Sequence, residues 1–481
     1  MSDMAIKAST NGSASSALME SPRLWWLLVV GAALLLGLVV GQGLWWAVLA
    51  LAFVPVMLRW PVEVTFGLFV LLIPFEDISQ LNGEGSSTLV WLSGALAAGG
   101  LIAVGLLGKR LQRPPRAVIW WTLFMLWGAA SVVWAADSRP VIARLPTAFS
   151  LLALYVAAAC FRLRKRELNW IAVMMIVGGC AAALFAAHQF YNGVFYVGKW
   201  QTTRETISLG TSATNPNHLA AEFLLPLALA TEFFLTARRW MIKISMLGVI
   251  GLLGLALFLT MSRAGLLGLL AELIVFSVRM RVGRKVLVVA ALLGVLTLAV
   301  PSEFFARIRG ESGGSGGAGR LYLWKVGWEL FAERPIVGAG FDNFPVVYNE
   351  YAGDAPVFEG FNRGSHNVYL KIVVELGVVG FLLFLLAINA QRRLVSSCVA
   401  HSINGPPRFL VATEAGLWAI LVFAFFGDPL FDKAFWLAWI MLTFTARIAN
   451  SQAEPSPALE TISSGIPEMR RSSAPVRIFS E

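Results

Sequence analysis

Charge is scarce in this chain: 14% of its 481 residues are Asp, Glu, Lys or Arg, against 57% that are hydrophobic. Soluble proteins keep about a quarter of their residues charged, so ordinary soluble domains are excluded. Cysteine is scarcer still. Cys160, Cys180 and Cys398 lie in apolar runs or near basic loops and share no metal-ligand spacing, which excludes a disulfide framework. No Gly-x-x-x-x-Gly-Lys-[Ser/Thr] stretch is present to cradle nucleotide phosphates, so an ATP-driven pump of that kind is excluded. There is also no Asp-rich pair, no His-x-x-x-His and no Cys cluster, so the chemistry is expected to use no metal and no cofactor.

Long apolar runs fill the space that charge leaves. They cover 24–41, 44–58, 62–74, 88–107, 117–135, 146–161, 170–187, 219–236, 244–261, 264–278, 286–300, 368–390, 409–426 and 430–445. A helix needs about 20 apolar residues to cross the hydrocarbon core, and several early runs are shorter. The expectation is an all-α, polytopic integral membrane protein with about 12–14 transmembrane helices. The first twenty-odd residues are polar and lack a compact charged-then-apolar pattern, so the first span is expected to be an uncleaved anchor.

A net charge of +10 would suggest nucleic acid as partner in a soluble protein. Here the basic residues sit in short clusters between apolar runs, which assigns them to topology instead. With the N-terminus in the cytoplasm, the clusters at 109–116, 162–166, 238–243, 279–285 and 392–408 all fall on one side. Both termini are then cytoplasmic. The division follows: a tail over 1–23, helices over 24–300, a long outer loop over 301–365, helices over 366–446, and a second tail over 447–481.

That outer loop far exceeds the usual connection length, so it is either functional or disordered. Part of it has order. Leu321, Trp324, Trp328 and Phe331 recur at helical spacing, Lys325, Glu329 and Glu333 occupy another face, and Pro335 ends the pattern. Two readings stand: an amphipathic helix lying at the membrane surface, or a loop helix packed on the bundle.

Four outer features carry polar residues with chemical potential: Asn215-Pro216-Asn217-His218, Ser262-Arg263-Ala264-Gly265, Gly338-Ala339-Gly340-Phe341-Asp342-Asn343-Phe344 and Ser365-His366-Asn367. An Arg at mid-membrane costs about 2.5–3.5 kcal/mol, so Arg263 belongs at an interface or with a partner. It either snorkels to the headgroups or, as a planar permanent cation, binds a phosphate or diphosphate. Gly265 would let another backbone approach it closely. His366, at a helix start, is either structural or a base that takes a hydroxyl proton near neutral pH; the helix N-terminus disfavours its cationic form. Asn367 could orient the imidazole or bind substrate. Lys371 and Glu375 are spaced i,i+4 and could pair inside the bundle. Glu375 falls about 13 Å along the helix from His366 and on nearly the opposite face, which makes it a poor orienting partner. Glu222, Glu272 and Glu414 are further acids in or near spans and functional suspects on that ground.

Five of these segments together resemble the O-antigen ligase and polymerase family. They are Ser365-His366-Asn367-Val368-Tyr369-Leu370 with Glu375-Leu376-Gly377-Val378-Val379-Gly380, the Ser262–Gly265 turn, Arg320 with Trp324, Pro335-Ile336-Val337-Gly338-Ala339-Gly340, and Asn215-Pro216-Asn217 with Leu219-Ala220. The resemblance implies a GT-C-like membrane glycosyltransferase, inverting and metal-independent, acting at the periplasmic face of the bacterial inner membrane. It implies an undecaprenyl-diphosphate-linked glycan as donor. The acceptor would be lipid A-core for a ligase or a second lipid-linked repeat unit for a polymerase, and both remain open. His366 would be the base; Arg263 and Arg320 would hold the diphosphate; Asn217, Asn367 and Arg363 would contribute to substrate binding. One position departs from the family pattern. Where members often carry an Arg three residues before the Gly of the Asn-Pro-Asn loop, this chain has Ile207, and Arg204 is the nearest substitute. The rival class is a secondary transporter or flippase of lipid-linked glycan, for which an internal repeat and mid-membrane polar residues would be expected.

Overall fold

The computed structural model describes residues 56–78, 89–194, 196–197, 203–204, 206–209, 212–280, 318–352, 360–400 and 407–453. The apolar runs at 24–41 and 286–300, most of 44–58, and the ends of the chain lie outside these residues. The other eleven runs are helical: Pro61–Leu72 (α1), Leu89–Leu107 (α2), Arg116–Ala130 (α3), Ser138–Cys160 (α4), Lys165–Tyr191 (α5), Pro216–Thr236 (α6), Trp240–Leu259 (α7), Arg263–Met280 (α8), Val368–Ala400 (α11), Arg408–Phe423 (α12) and Lys433–Ala453 (α13). Between α8 and α11 the long loop contributes Ala318–Glu333 (α9) and the short Phe344–Tyr348 (α10). Among the described residues, seven helices are long and apolar enough to cross a membrane. The chain is an all-α polytopic membrane protein, and its only strands among the described residues are two antiparallel pairs of two residues each.

Two helix bounds differ from the hydropathy reading in a way that matters for the site. The run at 146–161 is the second part of α4, which starts eight residues earlier and carries Pro146 inside it. Asp137 caps that start by accepting the Arg139 N–H at 2.9 Å. Hydropathy registers only the apolar stretch of a helix, so the polar opening turns of α4, with Arg144 among them, read as loop. The last helix likewise continues past 446, to Ala453.

The helices pack around an aromatic centre. Trp121 of α3 is fully buried and lies 5.0 Å from Trp436, 5.4 Å from Trp439 and 5.7 Å from Phe384, ring centroid to centroid. Offset and edge-on contacts of this kind suit the ring quadrupoles. Lipid offers no hydrogen bonds, so polar groups here are best served by partners inside the bundle. Tyr155 donates to Gln391 Oε1 at 3.2 Å, and Gln391 donates to Thr443 Oγ1 at 2.8 Å. Helix α12 is flanked by α8 and α6.

The two ends of the bundle differ in chemistry. One end ties the basic clusters together: Arg110 pairs with Glu167 at 2.5 Å, Arg279 with Glu414 at 2.6 Å, Arg447 donates to the Arg113 carbonyl, and Arg408 donates to the Leu235 carbonyl at 3.2 Å. The other end collects the starts of α6, α8, α11 and α13 with the loop helices α9 and α10.

Candidate active site

The start of α11 is built by its own side chains. Ser365 is fully buried, and its hydroxyl accepts the Asn367 N–H at 3.2 Å while donating to the Asn367 carbonyl at 2.8 Å. The Asn367 side-chain oxygen accepts the Leu370 N–H at 3.1 Å, so this residue caps the helix. The Val368 N–H donates to the Ala424 carbonyl at 3.0 Å, which ties the same turn to the end of α12. From above, Trp324 of α9 donates its indole N–H to the Ser365 carbonyl at 3.1 Å. His366 sits between these fixed neighbours with φ of 49°. That left-handed conformation is uncommon for a residue with a Cβ and is held here by the contacts on either side.

The surroundings of His366 keep it neutral. Burial pushes its pKa down first, and the positive charges of Arg320 and Arg363 and the ring of His218 add to that. Asp428 opposes them, and the imidazole settles at about 4. Arg320, Arg363 and His218 therefore act on one ring from three separate segments. His218 in turn faces Asp432, 3.8 Å away, and Asp77. Glu222, one turn further along α6, has Asp77 and Asp432 as its charged neighbours.

Behind the imidazole runs an ion network centred on Lys371. Its ammonium donates to Asp428 Oδ2 at 2.8 Å and to Asp342 Oδ1 at 3.0 Å, and lies 4.0 Å from Glu375. The i,i+4 pair expected from the sequence is thus the weakest of its three contacts. Arg144 donates to the other Asp342 oxygen at 2.8 Å, and both cations stand over the Phe431 ring, at 4.6 and 5.1 Å. Burial pushes the Asp342 carboxyl up, but Lys371 and Arg144 more than offset this and hold it below its ordinary range. Sequence reading passed over Arg144 and Asp428. The signal was Lys371 itself, since a Lys within an apolar span requires a counter-charge.

The Gly-rich loop and the Glu375–Gly380 motif form one unit. Gly377 interrupts α11 with φ of +64°, and a Cβ there would meet the Ile336 carbonyl oxygen at 2.2 Å. On the opposing strand of chain, a Cβ on Gly338 would meet the Glu375 backbone at 2.4 Å. The break frees carbonyls of α11, and the loop uses them: Ala339 N–H donates to Val374 at 2.9 Å and Gly340 N–H to Glu375 at 2.8 Å. The Glu375 carboxylate accepts the backbone N–H groups of Asp342, at 2.9 Å, and Phe344, at 3.0 Å. Glu375 is a loop clamp. From the α3–α4 connection, Trp134 donates to the Val337 carbonyl at 3.1 Å, and Trp127 of α3 donates to the Leu376 carbonyl at 3.0 Å.

Helix α9 packs on this platform. Leu323, Val326 and Leu330 are buried against Leu370, Val374 and Phe344, and a Cβ on Gly327 would fall 2.7 Å from Leu370. The Trp-rich stripe is split: Trp324 turns in to Ser365, whereas Leu321 and Trp328 point out, 64% and 58% exposed.

Arg263 opens α8 and is exposed, and it makes no ion pair among the described residues. Ser262 caps that helix by accepting the Gly265 N–H at 3.2 Å. A Cβ on Gly265 would lie 2.8 Å from the Cβ of Ala220, so the Ser262–Gly265 turn packs directly on the helix that Asn215 begins. Asn215 caps α6 by accepting the Asn217 N–H at 2.9 Å. Ile207 is fully buried, so the chain places an apolar side chain in the core where the family pattern has Arg. Arg204 lies in the strand Thr203–Arg204, antiparallel to Tyr196–Val197. Glu414 belongs to the far end, paired with Arg279, and Glu272 is buried mid-helix in α8.

Residues 248–385 match a family model described as O-antigen ligase. The matched stretch holds Arg263, Arg320, the Gly338–Gly340 loop, His366 and Glu375; the Asn215–Asn217 turn precedes it. No curated protein matches the chain.

Proposed function

We propose, from the premise that this chain is an enzyme of the O-antigen ligase and polymerase family, that it moves a glycan from an undecaprenyl-diphosphate carrier onto an acceptor hydroxyl at the periplasmic face. The acceptor is lipid A-core in a ligase or a second lipid-linked repeat unit in a polymerase. The observation that carries this reading is His366, a neutral imidazole on a fixed turn, with Arg320 and Arg363 acting on it.

Transfer is a single displacement. The acceptor hydroxyl oxygen attacks the anomeric carbon as the bond from that carbon to the diphosphate oxygen breaks. His366 takes the hydroxyl proton, and undecaprenyl diphosphate leaves with its added negative charge. Inversion at the anomeric carbon follows from attack opposite the leaving group. Guanidinium groups suit that departing charge, being planar, permanently cationic and able to grip two phosphate oxygens at once. Arg263 and Arg320 are assigned this role, which lets the reaction proceed without a metal. Asn217 and Arg363 line the approach, and Asn367 holds the turn that carries the base. The clustering of Lys and Arg at the far end supports a cytoplasmic position for that end, with His366 outside.

The test is in vitro transfer by the purified protein, wild type against His366→Ala, with EDTA present. An undecaprenyl-diphosphate oligosaccharide is offered with either lipid A-core or a second lipid-linked unit. Transfer that survives EDTA and disappears in the variant supports the assignment, and the productive acceptor names the subclass. Wild type that transfers nothing but moves the donor across liposomes would make the protein a flippase.

A further inference from the structure

A cavity lies at the opposite end of the bundle from His366, between the start of α5, the end of α6, the start of α12 and the end of α13. It encloses about 420 Å³ and is lined by Lys165, Asn169, Glu232, Arg408 and Thr445 among others. Helix packing does not satisfy its polar groups. Glu232 is 3% exposed, and its Oε2 has no hydrogen-bond partner among the described residues. Asn169 Oδ1, on the facing helix, is likewise buried and unpartnered. Each such acceptor costs free energy when left dry inside a bilayer, and both residues line this one cavity, so a rotation of each side chain toward it would bring the acceptor to a donor there. Arg408 is the cation that acts on Glu232, and its guanidinium spends one N–H on the Leu235 carbonyl at 3.2 Å. Lys165 is exposed at the rim.

We infer that this cavity binds the headgroup of an anionic glycerophospholipid, of the phosphatidylglycerol class, from the leaflet at the basic end of the protein. The phosphodiester oxygens accept from Lys165 and Arg408. The glycerol hydroxyls donate to Asn169 Oδ1 and Glu232 Oε2. Two cations against one acid leave the lining net positive, and an ethanolamine ammonium would have to sit between like charges, so the anionic headgroup is preferred. Basic pockets between transmembrane helices on the basic side of a membrane protein suit such headgroups. The chemistry is separate from glycan transfer and does not rest on the assignment of His366.

Native mass spectrometry of the full-length protein, titrated with phosphatidylglycerol and phosphatidylethanolamine of matched acyl chains, tests this, with free glycerol 3-phosphate as a soluble arm. Wild type should retain one phosphatidylglycerol in preference to phosphatidylethanolamine and should not retain glycerol 3-phosphate. Lys165→Ala should weaken retention about fivefold. Glu232→Leu should weaken it comparably, while Arg239→Ala, at the same end but outside the cavity, should leave it unchanged. Thermal midpoints show that each variant is folded. Equal retention of the two lipids would overturn the assignment. So would a loss in Arg239→Ala as large as that in Lys165→Ala, which marks diffuse charge attraction, or a Glu232→Leu protein that gains stability and keeps its lipid. Retention of glycerol 3-phosphate as tight as that of the lipid would make the ligand a soluble phosphate.

Discussion

Lys371 donates to Asp428 at 2.8 Å from one turn inside the helix that His366 precedes, and the same carboxylate is the acid that acts on His366. The ammonium therefore sets the charge balance behind the imidazole as well as tying α11 to the α12–α13 connection. Lys371→Met is expected to cost about 3–5 kcal/mol, the usual penalty for stripping one partner from a buried ion network. Asp342, Asp428 and Glu375 would be left facing one another. A lowered thermal midpoint, together with loss of transfer in the protein that remains folded, would bear this out. A midpoint within the error of wild type would show that the network is dispensable.

The pH dependence should reflect a depressed imidazole. His366 settles at about 4, against an ordinary value of 6.5. The base form therefore persists through mildly acidic solution, and the acid limb of kcat/KM should appear near pH 4 and not near 6.5. Between those values the unfolded chain takes up a proton that the folded one refuses, so stability should fall as pH drops across the window and level off below it. Arg320→Gln removes one of the positive charges responsible and should raise the pH at which the imidazole takes its proton, read from the ring's NMR shifts because transfer itself is lost. An unmoved titration would separate Arg320 from the imidazole.

Gly377 and Gly338 should tolerate no side chain. Placing Ala at Gly377 forces a left-handed residue onto an L side chain, worth about 1–3 kcal/mol, and adds a clash with the Ile336 carbonyl at 2.2 Å. Gly338→Ala meets the Glu375 backbone in the same way. Each variant should lose stability and transfer together, because the loop that carries Asp342 can no longer dock. Retained activity in either would mean that the loop is not part of the working site.

Much of this was legible in the sequence, and the rest was not, for physical reasons. Long apolar runs translate into helices because lipid leaves the backbone no other way to satisfy its hydrogen bonds. The motifs around Gly265, Gly338 and Gly377 are readable because glycine at a close approach leaves a mark in sequence. What connects them is not. Arg144 sits in polar turns that hydropathy assigns to a loop, and Asp428 sits in what reads as a turn between two spans. Both meet Asp342 or Lys371 only in three dimensions. Asn367 is a smaller case: its oxygen caps the helix, a task that its place beside a histidine does not announce.

Arg263 and Arg320 should be distinguishable from simple positive charge. If each grips a diphosphate through paired N–H groups, Lys should substitute poorly, because it retains the charge but not the fork. Arg263→Lys and Arg320→Lys are then expected to lose transfer nearly as fully as the Ala variants. Activity restored by Lys at either position would reduce that residue to an electrostatic role.

The contact between Gly265 and Ala220 supplies a test of whether the two outer turns act together. A Cβ added at Gly265 would stand 2.8 Å from the Ala220 Cβ, and neither atom can rotate away. Gly265→Ala should therefore push α8 off α6 and cost about 1–3 kcal/mol, the range for overpacking a close helix contact. The displacement would carry Arg263 away from Asn217, so donor KM should rise. Removing the opposing methyl restores the room: Ala220→Gly in the Gly265→Ala background should recover both the midpoint and KM. That recovery would appear as a coupling between neighbouring sites that the single changes do not predict. If the double variant is no better than Gly265→Ala alone, the Ser262–Gly265 turn and the Asn215–Asn217 turn do not position substrate as one surface.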